Sequence, residues 1–218
     1  MRRERTLLIV GVLMVCTYGW ANGAFAGSSD SLRIQNEFLT VEFDTQTMTF
    51  SVTARAPGLT FVERGTLASR DGRVRRLTVQ HPTWGQGDAI QIDHVSGAID
   101  RLTLSRNLPF VVLDGMLAES SDTVVTSLHR LSMVLDLGKK TEEVRALGTA
   151  GLTGVTRQSN PGSYSFLAVA DPTSRAGFVA GWVTHERGSG LLFSDVKDGR
   201  AVIDARLDYG QFLLKAGR

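Results

Sequence analysis

Two short stretches of this sequence carry side chains whose types and spacing could do chemistry. In Gly181–Gly190, His185 and Glu186 are adjacent, and an imidazole beside a carboxyl is the acid–base pair that interconverting the anomers of a sugar would require. Successive strand residues point to opposite faces, so these two groups converge only in a turn. Glu186, Arg187 and Gly188 are typical of such a turn, with Arg187 pairing across it. An acid–base role and a structural role both stay open, and the pattern favours the structural one.

The second stretch, His81–Gly87, places Trp84 beside imidazole and amide groups. A sugar has an apolar C–H face and a rim of hydroxyls, so an exposed tryptophan flanked by polar donors suits it. The alternative, which the sequence favours, is that Trp84 fills the rim of a β-sandwich. The candidate substrate-binding residues of the two stretches are Trp84, Trp182, His185 and Arg187.

No motif in the sequence identifies a catalytic centre, a metal site or a cofactor. The four histidines are far apart and lack the paired spacing of a local metal motif. The sequence has neither a Walker loop nor a G-x-S-x-G elbow. The glycine-rich Gly148–Gly154 lacks dinucleotide-binding spacing, which favours a bend between strands. We therefore expect no catalytic residue, no metal and no cofactor.

The N-terminus has the three parts of a secretory signal peptide. Met1–Arg5 is basic, Thr6–Val15 is apolar, and Ala24-Phe25-Ala26 has the small residues of a cleavage site. A membrane anchor is the alternative, but the apolar run is shorter than the roughly 20 residues of a spanning helix. We expect residues 1–26 to be cleaved and the protein to be exported, to the periplasm or the extracellular space, with no membrane span left.

Removal of this leader changes the charge and the redox chemistry of the chain. The leader holds three of the 24 basic and one of the 22 acidic residues, which leaves 21 of each. An uncharged body gives no electrostatic reason to bind nucleic acid or an anionic membrane. The single cysteine, Cys16, leaves with the leader, so the exported body relies on its core and not on disulfides.

Alternating apolar and polar residues predict antiparallel strands. Leu39–Phe43 and Met48–Val52 form two such runs around a polar turn, which indicates a hairpin with one buried face. Leu131–Leu137 alternates in the same way, and the clearest case is Ile203–Tyr209. Phe110–Leu113 is apolar at every position, which predicts a central strand covered on both sides.

The connections between these runs support an all-β fold. Asp71-Gly72 and Asp198-Gly199 are dipeptides typical of tight hairpin turns. Lys139–Ala146 is compatible with a short helix capped by Thr141 or with a strand. We predict a large two-sheet antiparallel β-sandwich, built as one domain over residues 27–218.

Five stretches of the sequence form a set with a family resemblance: Asn36–Asp44, Ser163–Pro172, Gly181–Gly190, Phe193–Val196 and Leu207–Gly210. Together they resemble the N-terminal β-sandwich region of bacterial proteins related to melibiase-type α-galactosidases. The resemblance covers roughly Ile34 to Leu214, and its motifs are structural.

This resemblance implies a β-supersandwich, similar in architecture to galactose mutarotase, that precedes a catalytic (β/α)8 barrel. In that family two aspartates of the barrel perform retaining hydrolysis of α-galactosides, which needs two carboxyls about 5–5.5 Å apart. A barrel takes ~250 residues, so no position of this chain inherits a catalytic role, and we expect a sandwich truncated at its C-terminus. The implied partners are a carbohydrate and the catalytic barrel of a full-length parent.

Three hypotheses about function follow. The first is a non-catalytic sandwich that supports carbohydrate hydrolysis by an exported α-galactosidase-like enzyme. The second is a stand-alone secreted carbohydrate-binding or mutarotase-like protein. The third is a structural β-domain of the cell envelope.

Overall fold

A computed structural model describes residues 6–11, 30–56, 58–155, 162–184 and 188–216, and for residues 6–11 it describes the backbone alone. The described residues form two antiparallel sheets. They contain no α-helix and a single 3-10 turn, Thr141–Glu143. The prediction of an all-β antiparallel sandwich is confirmed.

The first sheet, sheet A, has nine strands in the order β12-β11-β14-β15-β1-β9-β8-β7-β6. Its strands are β1 (Thr6–Gly11), β6 (Arg73–His81), β7 (Gly85–Asp93), β8 (Ile99–Ser105), β9 (Phe110–Met116), β11 (Arg145–Gly148), β12 (Gly151–Gly154), β14 (Phe166–Ala170) and β15 (Gly177–Trp182).

The second sheet, sheet B, has eight strands in the order β13-β16-β17-β10-β5-β4-β3-β2. Its strands are β2 (Ser31–Gln35), β3 (Leu39–Asp44), β4 (Thr49–Ala54), β5 (Leu59–Leu67), β10 (Thr123–Leu135), β13 (Ser163–Tyr164), β16 (Ser189–Lys197) and β17 (Arg200–Leu214).

The core lies between the two sheets and is built from alternate residues of their strands. In β17, Ile203 and Ala205 are fully buried while Arg206 stays partly exposed, as the alternation predicts. The rings of Phe61 in sheet B and Phe178 in sheet A meet across the core, with centroids 6.1 Å apart. Burial of each large apolar side chain stabilises the fold by about 1.5–3 kcal/mol, so this shared core is the main force that holds the sheets together.

Two predicted hairpins are confirmed. In the first, β3 pairs with β4 in a register that places Val41 opposite Val52. In the second, β16 and β17 are joined by Asp198 and Gly199, which have φ angles of 51° and 72°. Two successive left-handed residues match the right-handed twist of the flanking strands, which is why this dipeptide closes a tight hairpin.

One local prediction was wrong, and of the two alternatives left open for Lys139–Ala146 the strand is present in part. Asp71-Gly72 does not close a hairpin, because β5 belongs to sheet B and β6 to sheet A, so the chain crosses between sheets there. In Lys139–Ala146 the structure has the 3-10 turn followed by β11. Thr141 does not cap a helix, since its hydroxyl donates to the carbonyl of Gly199 in the β16–β17 turn.

The predicted central strand is confirmed as β9, in which Val111, Val112 and Leu113 are each 2% exposed. It lies between β8 and β1. β1 comes from the stretch that the sequence assigns to the apolar centre of a leader. The other residues of that predicted leader lie outside the described part of the chain.

Asn36 fastens the two sheets at one end of the sandwich. Its amide nitrogen donates to the carbonyls of Ser105 (2.7 Å), the last residue of β8 in sheet A, and of Leu108 (2.8 Å) in the loop that follows. Its amide oxygen accepts from the backbone N–H groups of Phe38 and Leu39 at the start of β3 in sheet B. One side chain thereby satisfies four backbone groups from both sheets.

Candidate functional site

An open cleft of about 670 Å³ lies where β13, the start of β16 and the end of β17 meet, at one edge of sheet B. This cleft is the candidate site. Its described lining residues are Tyr164, Ser165, Gly188, Ser189, Gly190, Asp208, Tyr209 and Gly210.

Ser165 sets the base of the cleft, because the chain leaves sheet B and enters sheet A at this residue. Its φ angle of 67° is left-handed, which is uncommon for a residue with a side chain. Its backbone N–H donates to the carbonyl of Gly190 (3.0 Å), and its carbonyl accepts from the N–H of Trp182 (2.7 Å). These two bonds hold Ser165 between β16 of one sheet and β15 of the other.

Trp182 supports the cleft from beneath. It is only 6% exposed, and its indole N–H donates to the carbonyl of Leu191 at 3.2 Å. Its ring packs against the backbone of Gly190, where an added Cβ would overlap the Cγ of the indole. The structure therefore places this predicted site residue in the core, below the cleft, with its polar atom already satisfied.

Tyr164 and Tyr209 are the aromatic residues that line the cleft, and Tyr209 also packs against the core. Tyr164 lies in β13, the edge strand of sheet B, and is 44% exposed. Tyr209 stacks on Phe212 with ring centroids 5.4 Å apart. Tyr209 also lies close to Gly188, where an added Cβ would be 3.0 Å from its Cδ1. Aromatic faces beside open backbone are the surfaces that the C–H face of a sugar contacts.

Asp208 contributes the charge of the cleft. Arg206 Nη2 donates to Asp208 Oδ2 at 2.9 Å, and Nε lies 2.7 Å from Oδ1 as an ionic contact. The same guanidinium stands 4.7 Å above the ring of Phe193, a cation–π arrangement that fixes its position. Asp208 is thus held in place and partly exposed, as an acceptor for a sugar hydroxyl needs to be.

The described lining residues fit binding better than bond cleavage. Asp208 is the single carboxylate among them. Retaining hydrolysis of a glycoside needs two carboxyls about 5–5.5 Å apart. The described lining groups can form hydrogen bonds and apolar contacts with a sugar.

Trp84 lies in the turn between β6 and β7, away from the cleft. Its ring stacks on His81 with centroids 4.1 Å apart and meets the ring of Phe110 edge-on at 6.1 Å. His81 Nδ1 accepts from the backbone N–H groups of Thr83 and Trp84, which shapes the turn. Trp182 lies in β15, and β15 is four inter-strand spacings from β7 in sheet A. At about 4.8 Å per spacing, the two strands are about 19 Å apart. The structure does not bring the two tryptophans together.

His185 and Arg187 lie outside the described residues. Their neighbour in sequence, Gly188, lines the cleft.

A buried group of ionisable side chains, His94, Asp100 and Arg130, lies elsewhere and joins the two sheets. His94 follows β7 and contacts Asp71 through Nδ1 and Asp100 through Nε2, both at 2.9 Å. Arg130 of β10 in sheet B pairs with the other oxygen of Asp100 in β8 of sheet A. Both ring nitrogens of His94 are used and the ring is buried, so His94 has no nitrogen free for a substrate.

The pKa values of this group agree with a structural role. The hydrogen bond to Asp100 is the largest influence on His94 and raises its pKa above 6.5, with burial acting in the opposite direction. Burial alone raises the pKa of Asp100, but the hydrogen bond from His94 and the charge of Arg130 outweigh it and leave the pKa below 3.8. The group therefore favours a charged imidazolium between carboxylates.

A second open groove of about 560 Å³ is lined by Arg33, Gln35, Arg55 and Arg76. Arg33 and Arg76 pair with Glu42 (3.6 Å) and Asp88 (2.7 Å), and Arg55 donates to the carbonyl of Asn36. These partners reduce the positive charge that the groove presents. In binding experiments with an acidic ligand, this groove is the site to compare with the cleft.

Comparison with known proteins does not assign this chain to a family. Neither the models of protein families nor the curated protein sequences match this chain. In the part of the chain that the structure describes, no helix has the length and apolarity to cross a membrane. The same residues contain no cluster of three or more histidine, cysteine or acidic side chains that could hold a metal ion.

Sequence reasoning missed Tyr164, Asp208 and Tyr209 as site residues. All three lie in stretches that carry the resemblance to glycosidase sandwiches, yet 44 residues separate Tyr164 from Asp208. A period-2 pattern shows which face of a strand is buried but not which strands become neighbours. A tyrosine followed by glycine within an alternating strand is the one local signal, because glycine there marks a bulge.

Proposed function

We propose that this chain is a non-catalytic, carbohydrate-binding β-sandwich of an exported glycoside hydrolase similar to the α-galactosidases. It holds a sugar chain in the cleft between Tyr164 and Tyr209 while a catalytic barrel, which is not part of this chain, hydrolyses the glycosidic bond. The sandwich fold, the aromatic and carboxylate groups of the cleft, and the resemblance in sequence support this function.

The single observation that carries the proposal is the composition of the cleft. Two tyrosines, two serines and one fixed carboxylate line an open surface beside the exposed backbone of Gly210. A neutral sugar presents an apolar face for the rings and hydroxyl groups for Asp208, Ser189 and the backbone. Among the described lining residues Asp208 is the one carboxylate, and a retaining glycosidase uses two, so we propose binding as the role of this cleft.

Calorimetric titration of the protein with an α-linked galactosyl oligosaccharide tests the proposal. We expect saturable binding, weakened about tenfold by Tyr164→Ala because the variant loses one aromatic face, worth roughly 1.4 kcal/mol. Phe166→Ala is the matched control, since Phe166 is a similarly exposed aromatic residue two positions away that does not line the cleft. Equal losses of affinity in the two variants, or no binding by the unsubstituted protein, would rule out the cleft as the sugar-binding site.

A further inference from the structure

Sheet A is completed by a strand from the extreme N-terminus. All six residues of β1 pair with β9, from Thr6 opposite Gly115 to Gly11 opposite Phe110. On its other side, Leu8–Gly11 pairs with Trp182–Val179 of β15. β1 is therefore a central strand with neighbours on both sides.

β1 separates its two neighbours, β9 and β15, in sheet A. β1 is antiparallel to both β9 and β15, so these two strands run parallel to each other. They lie two strand spacings apart, roughly 10 Å. Without β1, sheet A consists of two four-stranded halves, β12-β11-β14-β15 and β9-β8-β7-β6, each with an unpaired edge.

The two edges define what fits between them. Val111 and Leu113 of β9 and Phe178 and Ala180 of β15 are buried members of the core. An occupant must satisfy two rows of backbone hydrogen-bonding groups and continue this apolar layer. An extended apolar segment meets both demands, and the sequence of β1, Thr-Leu-Leu-Ile-Val-Gly, is of that kind.

We propose that the space between β9 and β15 is a strand-acceptor site for an extended apolar polypeptide segment of six residues, antiparallel to both strands, and that Thr6–Gly11 is its occupant. Binding of this kind is strand addition, in which main-chain hydrogen bonds supply affinity and side-chain pockets supply specificity. The inference does not involve the residues that line the sugar cleft, so it stands or falls separately from the proposed function.

The site couples the leader to the fold. The same six residues begin the apolar run, Thr6–Val15, of the predicted signal peptide, and a cut after Ala26 separates them from the body. An empty site exposes two unpaired strand edges, which are prone to aggregation. The exported body therefore needs either the retained N-terminal segment or a strand of the same chemistry from another polypeptide.

Disulfide trapping in the full chain tests the placement of the occupant. Leu8 of β1 is opposite Leu113 of β9, and Leu113 is in turn opposite Leu102 of β8. In a Cys16→Ser background, Leu8→Cys with Leu113→Cys is expected to form a disulfide on mild oxidation. Leu8→Cys with Leu102→Cys is the control, because two strand spacings exceed the reach of a disulfide. Absence of the first crosslink, or equal formation of both, overturns the proposal.

A strand-exchange measurement tests the acceptor property without a core substitution. A specific protease site is inserted after Ala26 in the full chain, and the folded protein is cut. The N-terminal fragment is expected to stay bound in size-exclusion chromatography. A labelled, lysine-tailed peptide with the sequence of Thr6–Gly11 should displace it, whereas the Ile9→Pro peptide should not, because proline removes a ladder N–H. Immediate release of the fragment, with an unchanged melting temperature of the body, contradicts the proposal.

Discussion

At the scale of single residues, glycines decide the shape of the cleft. Gly190 lets Trp182 pack directly on the backbone of β16, and Gly188 leaves room for the ring of Tyr209. Both rings gain fixed positions because no Cβ stands between them and the main chain. The geometry of the cleft therefore depends on positions that carry no functional group of their own.

We expect Gly190→Ala to lower the free energy of unfolding by about 1–3 kcal/mol, because the added methyl group overlaps the buried indole of Trp182. Urea denaturation measures this loss. Gly154→Ala is the matched control, since nothing lies within 4 Å of a Cβ added at that strand glycine. Equal stability of the Gly190→Ala and Gly154→Ala variants would show that the indole does not pack on Gly190.

The site residues show why the cleft was not predictable from the sequence. Tyr164 and Asp208 become neighbours only because β16 pairs with β13 on one side and with β17 on the other. Such pairing depends on the packing of whole strands, which a local motif does not encode. The ring of Trp182 makes this residue a candidate for sugar binding. Burial of the same apolar ring in the core stabilises the fold more than exposure at the surface would.

At the scale of elements, the group of His94, Asp100 and Arg130 connects the two sheets and makes their association depend on pH. The pKa of His94 is raised above 6.5 in the fold, so its contribution to stability is complete below pH 6.5 and is lost as the pH rises through the raised value. The pKa of Asp100 is lowered, so its contribution is present above pH 3.8 and is lost as the pH falls through the lowered value.

We therefore expect the free energy of unfolding to decrease as the pH rises above 6.5, with a slope of at most about 1.4 kcal/mol per pH unit for one proton. Denaturation series between pH 5 and 9 measure the slope. His94→Gln should remove it, while His129→Gln should keep it, because His129 is exposed and makes only a 3.5 Å contact with Asp204. A slope that persists in His94→Gln would exclude this group as its cause.

The strands themselves were largely predictable, but the paths between them were not. Alternation in β3, β4, β10 and β17 fixed which residues face the core. Asp198-Gly199 and Asp71-Gly72 have similar turn chemistry, yet one closes a hairpin and the other lies in a crossover between sheets. The local sequence determines that the chain turns, while the sheet to which the next strand belongs is decided by burial of its apolar face.

At the scale of the whole molecule, the cleft and the arginine-lined groove differ in charge. The cleft binds through rings and hydrogen bonds, so affinity for a neutral galactoside should change little between 0.05 and 0.5 M NaCl. Binding of an acidic oligosaccharide in the groove of Arg33, Arg55 and Arg76 would weaken over the same range. Calorimetric titrations at the two salt concentrations measure the difference, and a steep loss for the neutral sugar would contradict binding in the cleft.

The central claim is that a neutral sugar binds in the cleft at the edge of sheet B. Backbone amide NMR during titration with an α-linked galactosyl oligosaccharide tests it most directly, because it locates the contact residue by residue. We predict saturable shift changes at Tyr164, Ser165, Gly188–Gly190 and Asp208–Gly210. Shift changes confined to the groove of Arg33, Arg55 and Arg76 or to the turn of Trp84, or none at saturating sugar, would contradict the account.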